Sequence, residues 1–258
     1  MGFRKFIRKM INCETIQDRR LLLSQKLFKE FDGYVRYGPL KNYKLPKKAI
    51  WSQRDAGAKL LGLYEKDLMP FILNAAKTKS HLIDLGAADG YYAVGLLQAA
   101  LFKGAIAFEI SSKSRTVLSQ SAIENNVSEI LQIQGVASLE ALSKIPEKTI
   151  SDSLILIDIE GGEFEILDDS FFSLTREAVI IVEIHEWMVS EGTKRLENIL
   201  SIARNTHSST IINTGTRDLS TMRELKNYSD NDRWLIASEG RARAMQWICF
   251  EPIQQYRQ

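Results

Sequence analysis

Four apolar runs in this chain each close on a carboxylate: His-Leu-Ile-Asp84, Ile-Ala-Phe-Glu109, Leu-Ile-Leu-Ile-Asp158 and Val-Ile-Ile-Val-Glu183. Short apolar runs of this kind read as buried strands. Parallel strands bring their carboxyl ends to one rim of a sheet, where open α/β folds bind ligands. Acids gathered on a rim repel one another and lose hydration, and both effects favour protonation. Such a cluster makes physical sense when a cation, or a group rich in hydrogen-bond donors, is held between the acids.

The residues around each acid sharpen the chemistry. Asp84 runs into the turn Gly86-Ala87-Ala88-Asp89-Gly90. Glycines at such a turn let a ligand touch the backbone. A dinucleotide fingerprint is excluded, because G-x-G-x-x-G from Gly86 needs glycine where Ala88 and Tyr91 stand. Asp89 reads as the N-cap of the helix that follows. Asp84 orders the turn and, directly or through water, meets a ligand's ammonium; alternatively it is a buried acid bonded only to turn amides. Glu109 lies 19 residues beyond Gly90. An acid about 20 residues past a glycine turn is where a ribose diol is held. Capping the helix that begins near Ser112 is its other use.

The densest chemistry follows the fourth run, in Asp158-Ile-Glu160-Gly161-Gly162-Glu163, and the fifth, in Glu183-Ile-His185-Glu-Trp187. Strand alternation puts Glu183 and His185 on one face. An imidazole titrates near working pH, so His185 is the natural general base, with Asp158 or Glu183 acting or assisting. A core or substrate-binding histidine is the competing reading. Asp158, Glu160, Glu183 and His185 also form an oxygen-rich set for Mg2+ or Mn2+. Glu163 suits the first turn of a helix through the dipole. His81 and His207 flank strand starts, at the opposite end of the sheet, and read as structural.

These groups need a sheet to position them. Strands are expected at 81–85, 105–110, 131–135, 153–158, 178–184, 209–213 and 245–250, and helices at 91–102, 112–125, 137–144, 162–168 and 190–205. That is the β-α-β-α rhythm of a parallel sheet with right-handed crossovers. Upstream, residues 14–32 read as a helix ended by Asp32-Gly33. Residues 34–51 read as irregular with a short strand, and 54–77 as a helix kinked or divided at Pro70. Residues 1–12 carry Phe3, Phe6, Ile7, Met10 and Ile11 on one side and four basic residues on the other. That segment either packs on its own domain or a partner, or lies on an anionic membrane surface. Residues 214–244 are polar. Their arginines, Arg217, Arg223, Arg233, Arg241 and Arg243 among them, either close over an anionic acceptor or form a solvated face interleaved with acids. One helical extension at 1–52 and one α/β domain at 53–258 is the simplest organisation.

Composition sets outer bounds. The 258 residues are 45% hydrophobic and 26% charged, as in an ordinary globular chain. A net charge of +2 gives no footprint for nucleic acid. Two cysteines, Cys13 and Cys249, cannot build a disulfide framework, and a reducing cytoplasm fits. No apolar run approaches the roughly 18 residues of a membrane span.

Asp84-x-Gly86-x-x-x-Gly90 resembles motif I of the class I S-adenosylmethionine-dependent methyltransferases. Taken in order, DLGAADGYYAVGL, IDIEGGEFEIL and VEIHE are similar to successive motifs of the FkbM-like methyltransferases, over roughly residues 55–250. Leu61-Gly-Leu-Tyr-Glu65 resembles that family's segment before motif I. The resemblance implies a Rossmann-like, seven-stranded, mostly parallel sheet with an antiparallel last strand. It implies S-adenosylmethionine as methyl donor and a hydroxyl acceptor on a sugar, glycan or other small metabolite. Carried onto this sequence, the cofactor positions are Glu65, Asp84, Gly86, Ala87, Ala88, Asp89, Gly90, Tyr91, Tyr92, Glu109 and Asp158. Val136 and Ala137, after the third strand, fall beside the adenine. An RNA or protein acceptor, or a non-catalytic binding role on the same fold, are the alternatives; the near-neutral charge argues against RNA. A homo-oligomer is compatible with all three.

Overall fold

A computed structural model of the chain describes residues 15–49 and 53–253. The basic segment 1–12 lies outside the described residues. The first helix, α1 (Ile16–Glu30), starts on a capping box in which Thr15 and Asp18 satisfy each other's backbone N–H groups. It ends at Asp32 and Gly33, both left-handed, with φ of 50° and 77°. The following loop doubles back through a single antiparallel bridge, Tyr34 to Lys44.

Residues 54–77 are not one helix. They form α2 (Ala56–Leu60), a 3₁₀ turn (Lys66–Leu68) and α3 (Met69–Ala75). The break comes at Gly62 and Glu65, which take φ of 64° and 45°. Pro70 sits in the first turn of α3, where its missing N–H costs nothing, so it starts a helix rather than kinking one.

Then β1 (His81–Leu85), α4 (Tyr91–Gln98), β2 (Gly104–Phe108), α5 (Ser112–Glu124), β3 (Leu131–Gln134), α6 (Leu139–Ser143), α7 (Glu147–Ser151), β4 (Ser153–Ile157), α8 (Glu163–Ile166), α9 (Asp169–Leu174), β5 (Val179–Glu183), α10 (Gly192–Ala203), β6 (His207–Asn213), α11 (Asp230–Ala237) and β7 (Gln246–Pro252) follow. The seven strands lie in the order β3-β2-β1-β4-β5-β7-β6. All pairings are parallel except those of β7, which runs antiparallel to β5 and β6. Chain order reverses between β1 and β4, so the ligand crevice of such a sheet opens at their carboxyl ends. Strand alternation sends Leu82, Leu154, Leu156 and Ile181 to one face, and Ile83, Leu85, Ile155, Ile157 and Ile180 to the other. Leu23 and Leu27 of α1 join the first of these cores.

Three helices were not legible as separate elements: α7, α9 and α11. The last lies inside the polar stretch 214–244 and starts on Ser229, whose hydroxyl accepts the Asp232 N–H. α1 reaches across to this stretch. Buried Arg20 donates to Asp55 at 2.7 Å and to the Ser238 carbonyl at 2.9 Å. Arg20→Ala removes a buried guanidinium together with its bonds to Asp55 and to the Ser238 carbonyl, and is expected to lose about 3 kcal/mol in urea unfolding. A loss below about 0.5 kcal/mol would mean that α1 does not anchor the loop after α11.

Candidate active site

At the exit of β1, Asp84 is 4% exposed, and one of its carboxylate oxygens, Oδ2, meets no hydrogen-bond partner. Burial pushes its carboxyl up to about 7; Asp158, Glu109 and Glu65 add to the rise, and the Ala93 N–H opposes it. The turn after Asp84 is built on left-handed backbone at Gly86 and Gly90, with φ of 95° and 92°. A Cβ on Gly86 would run into the Asp158 carbonyl oxygen, and one on Gly90 into Leu118 and Val94. These glycines therefore let the turn pack closely on the protein's own β4 exit and helix α5. Gly90 itself occupies the N-cap of α4 and has no side chain with which to cap it, so Asp89 is not the cap its type suggested. Asp89 is buried beside it.

Glu109 serves the turn and the next helix together. Its Oε2 accepts the Ala88 N–H at 2.9 Å, and its Oε1 accepts the Ser111 N–H at 2.7 Å. Each carboxylate oxygen has a second lone pair, so capacity for a diol remains. Beyond Glu109, Ile110 is 73% exposed; across from it, after β3, Val136 is 61% exposed. Ala137 is half-buried. Sequence reading singled out Val136 and Ala137 but not Ile110, although its place directly after the rim acid was the available signal.

The Asp158 to Glu163 block forms a tight reversal. Glu160 and Gly161 are left-handed, with φ of 52° and 97°. The reversal swings Glu163 inward, fully buried. Its Oε2 accepts the Gly161 N–H at 2.8 Å; its Oε1 accepts the His185 N–H at 2.8 Å and lies 3.1 Å from His185 Nδ1. A carboxylate facing Nδ1 holds the proton there and leaves a lone pair on Nε2. Nε2 looks onto Asp158 Oδ1 at 3.8 Å, Glu160 Oε2 at 3.6 Å and Glu183 Oε2 at 3.9 Å. Burial lowers the His185 pKa, but the Glu163 bond and the surrounding acids outweigh it and the net shift is upward. Glu183 is pushed up by burial and by Asp158 and Glu65. Thus Asp158, Glu183 and His185 do converge, as strand alternation required, and Glu163 is the positioning residue that sequence reading left as a helix-dipole acid. Trp187 stands edge-on to the His185 ring, with Arg243 over its face at 4.6 Å.

A second residue was visible in the sequence only as one of the arginines of 214–244. Arg241 enters the crevice from the loop after α11 and pairs with Glu65, Glu183 and Glu239. Glu65, buried and left-handed, also accepts the Tyr92 hydroxyl and gives its own N–H to Glu239. Arg217 braces Glu239 from the far side. The protein thus supplies part of the positive charge its rim acids demand. Tyr91 packs with Tyr43, Tyr64 and Tyr92, and Lys59 lies over the Tyr64 and Tyr91 rings. His81 and His207 sit at the opposite ends of their strands; His207 is buried against the Ala178 carbonyl. They take no part in the site.

Comparison with known proteins bears on the fold. Residues 85–209 match the model of the methyltransferase FkbM domain. Among solved structures, the methyltransferase domain of METTL16 superposes with a TM-score of 0.54 at 14% identity, covering 93% of this chain and 81% of that one. An O-methyltransferase from Bacillus cereus, solved with S-adenosylhomocysteine, aligns at a TM-score of 0.48 and 13% identity, covering 97% and 96%. A search of curated proteins finds no match. Among the described residues no helix is long and apolar enough to cross a membrane. With a seven-stranded sheet of this topology and a match to the methyltransferase FkbM domain over residues 85–209, the chain carries a methyltransferase domain of the FkbM type.

Proposed function

We propose that the protein methylates a hydroxyl on a sugar, glycan or other small metabolite. The observation that carries this reading is the Nε2 lone pair of His185, oriented by buried Glu163 and surrounded by three carboxylates at the crevice of the sheet. A hydroxyl acceptor needs its proton removed during transfer, whereas an aromatic or amine nitrogen with a free lone pair does not. Trp187 offers the C–H face of a sugar ring an aromatic wall beside that lone pair.

The residues fit the cofactor chemically. S-adenosylmethionine supplies a methyl group on a positively charged sulfur. The unpartnered, buried Asp84 oxygen suits its ammonium, and the spare lone pairs of Glu109 suit a ribose diol. Ile110 and Val136 present apolar side chains at the same edge of the sheet, where the base belongs. Asp158 and Glu183 line the crevice beside His185. Proton removal falls to the cluster around His185 Nε2. Transfer then depends chiefly on alignment and on exclusion of water, tasks of the fixed strand ends. The near-neutral charge of the chain supports a small acceptor over RNA.

Two outcomes are expected. By calorimetry, Asp84→Asn and Glu109→Gln each weaken S-adenosylmethionine binding by 10-fold or more, the order expected for a hydrogen bond to a charged group; unchanged affinity in both variants would reject the cofactor assignment. The second concerns pH. Asp84 holds its proton up to about 7 when folded, against roughly 3.9 when unfolded. Between those values the native state binds more protons, so ligand-free stability falls as pH rises through that window. Cofactor affinity moves the opposite way, since its ammonium prefers the ionised acid. Affinity should drop several-fold from pH 7.5 to 6 in the native enzyme and stay flat in Asp84→Asn. A native affinity that does not change with pH would contradict the role given to Asp84.

A further inference from the structure

We propose that Asp158, Glu183 and His185 form a divalent-cation site, with Mn2+ or Mg2+ as its occupant; its catalytic use rests on the hydroxyl-methylation reading above. One ligand atom from each of the three lies within 4.8 Å of the others. Three independent features aim them at a shared ion. First, Asp158 Oδ1 is buried and has no hydrogen-bond partner. An orphaned carboxylate oxygen is costly unless something positive faces it. Second, His185 is 3% exposed and its Nδ1 is committed to the buried Glu163 carboxylate, the arrangement by which a carboxylate fixes a metal-binding imidazole. Its Nε2 is left with a lone pair directed at the acids. Third, the separations of 3.6 to 3.9 Å from Nε2 to the three carboxylates are too long for hydrogen bonds. They suit pairs of ligands that each sit about 2.0–2.2 Å from one ion.

Charge points the same way. Arg241 takes Oε1 of Glu183 and leaves Oε2 facing His185. Among the described residues no lysine or arginine pairs with Asp158 or Glu160. One imidazole with two or three carboxylates is a hard, oxygen-dominated set, which selects Mn2+ or Mg2+ over softer ions. Such a cation lowers the pKa of a hydroxyl that it touches. With the ion bound, His185 Nε2 is a ligand, and proton removal passes from it to another member of the same cluster. The acceptor's O–H bond breaks and its proton passes to Glu160, which is exposed and returns it to water. The oxygen's electron pair forms the new C–O bond, and the C–S pair leaves with sulfur as a neutral thioether.

The test uses the full-length protein stripped with EDTA and then titrated with Mn2+, followed by electron paramagnetic resonance. The expected result is one saturable site per chain, with spin-echo modulation from a single imidazole nitrogen. Asp158→Asn and His185→Gln should each weaken Mn2+ binding 10- to 100-fold. Glu163→Gln should weaken it about tenfold by loosening the ring. The wild-type spin-echo signal does not depend on any variant folding. Absence of a saturable site in the wild type, or of nitrogen coupling, overturns the proposal and leaves Asp158 and Glu183 sharing a proton instead. S-adenosylmethionine binding, measured separately on the same stripped protein, tells this failure apart from failure of the methyltransfer reading.

Discussion

Burying carboxylates together is the constraint on which the rest of this structure depends. Asp84, Glu65, Glu109, Glu163 and Glu183 are all buried, and Asp158 is half-buried among them. An isolated buried charge costs far more than the net stability of a domain, so each acid needs a proton, a cation or several N–H groups. The protein solves this residue by residue. Glu109 and Glu163 are satisfied by backbone N–H groups, Glu65 and Glu183 by Arg241, and Glu163 again by His185. Asp84 and Asp158 are left with an oxygen apiece that has no hydrogen-bond partner. The two unfinished acids flank the switch point between β1 and β4, where the cofactor's ammonium is proposed to meet Asp84 and a divalent cation to meet Asp158.

Arg241 links this local balance to the distant parts of the chain. Its loop is pinned from behind by Arg20 of α1, and Arg20 is itself held by Asp55. Glu239 of the same loop accepts the Glu65 N–H and pairs with Arg217. The N-terminal helix, the segment before β1 and the stretch between β6 and β7 thus meet over one edge of the crevice. Nothing in the glycine turn requires this arrangement. It follows from the need to bring a guanidinium to Glu65 and Glu183.

The strands and the acids at their ends were legible because both rest on short-range pattern: apolar runs of strand length, glycine after the acid, and helix-length spacers. The convergence of Glu183 with His185 followed from a two-residue period. What stayed hidden depended on long-range contact. Arg241 stands among several arginines and interleaved acids, and nothing local marks it as the one that turns inward. Glu163 looked like a surface acid of a helix first turn; only the left-handed pair Glu160-Gly161 folds it beneath His185. Pro70 and the broken helix around Gly62 misled for a related reason, since apolar spacing continues across a backbone reversal that it cannot register. Gly86 was legible as a special position, but its close approach to the Asp158 backbone was not.

The central claim is that the two unfinished acids and Glu109 form one cradle for a positively charged nucleoside. A crystal structure of the full chain grown with S-adenosylhomocysteine tests it most directly. The account predicts the ligand's ammonium at Asp84, its ribose hydroxyls on Glu109, and its sulfur open toward Asp158 and His185. A ligand seated away from the β1–β4 switch point, with Asp84 and Glu109 still bonded only to backbone, would contradict it.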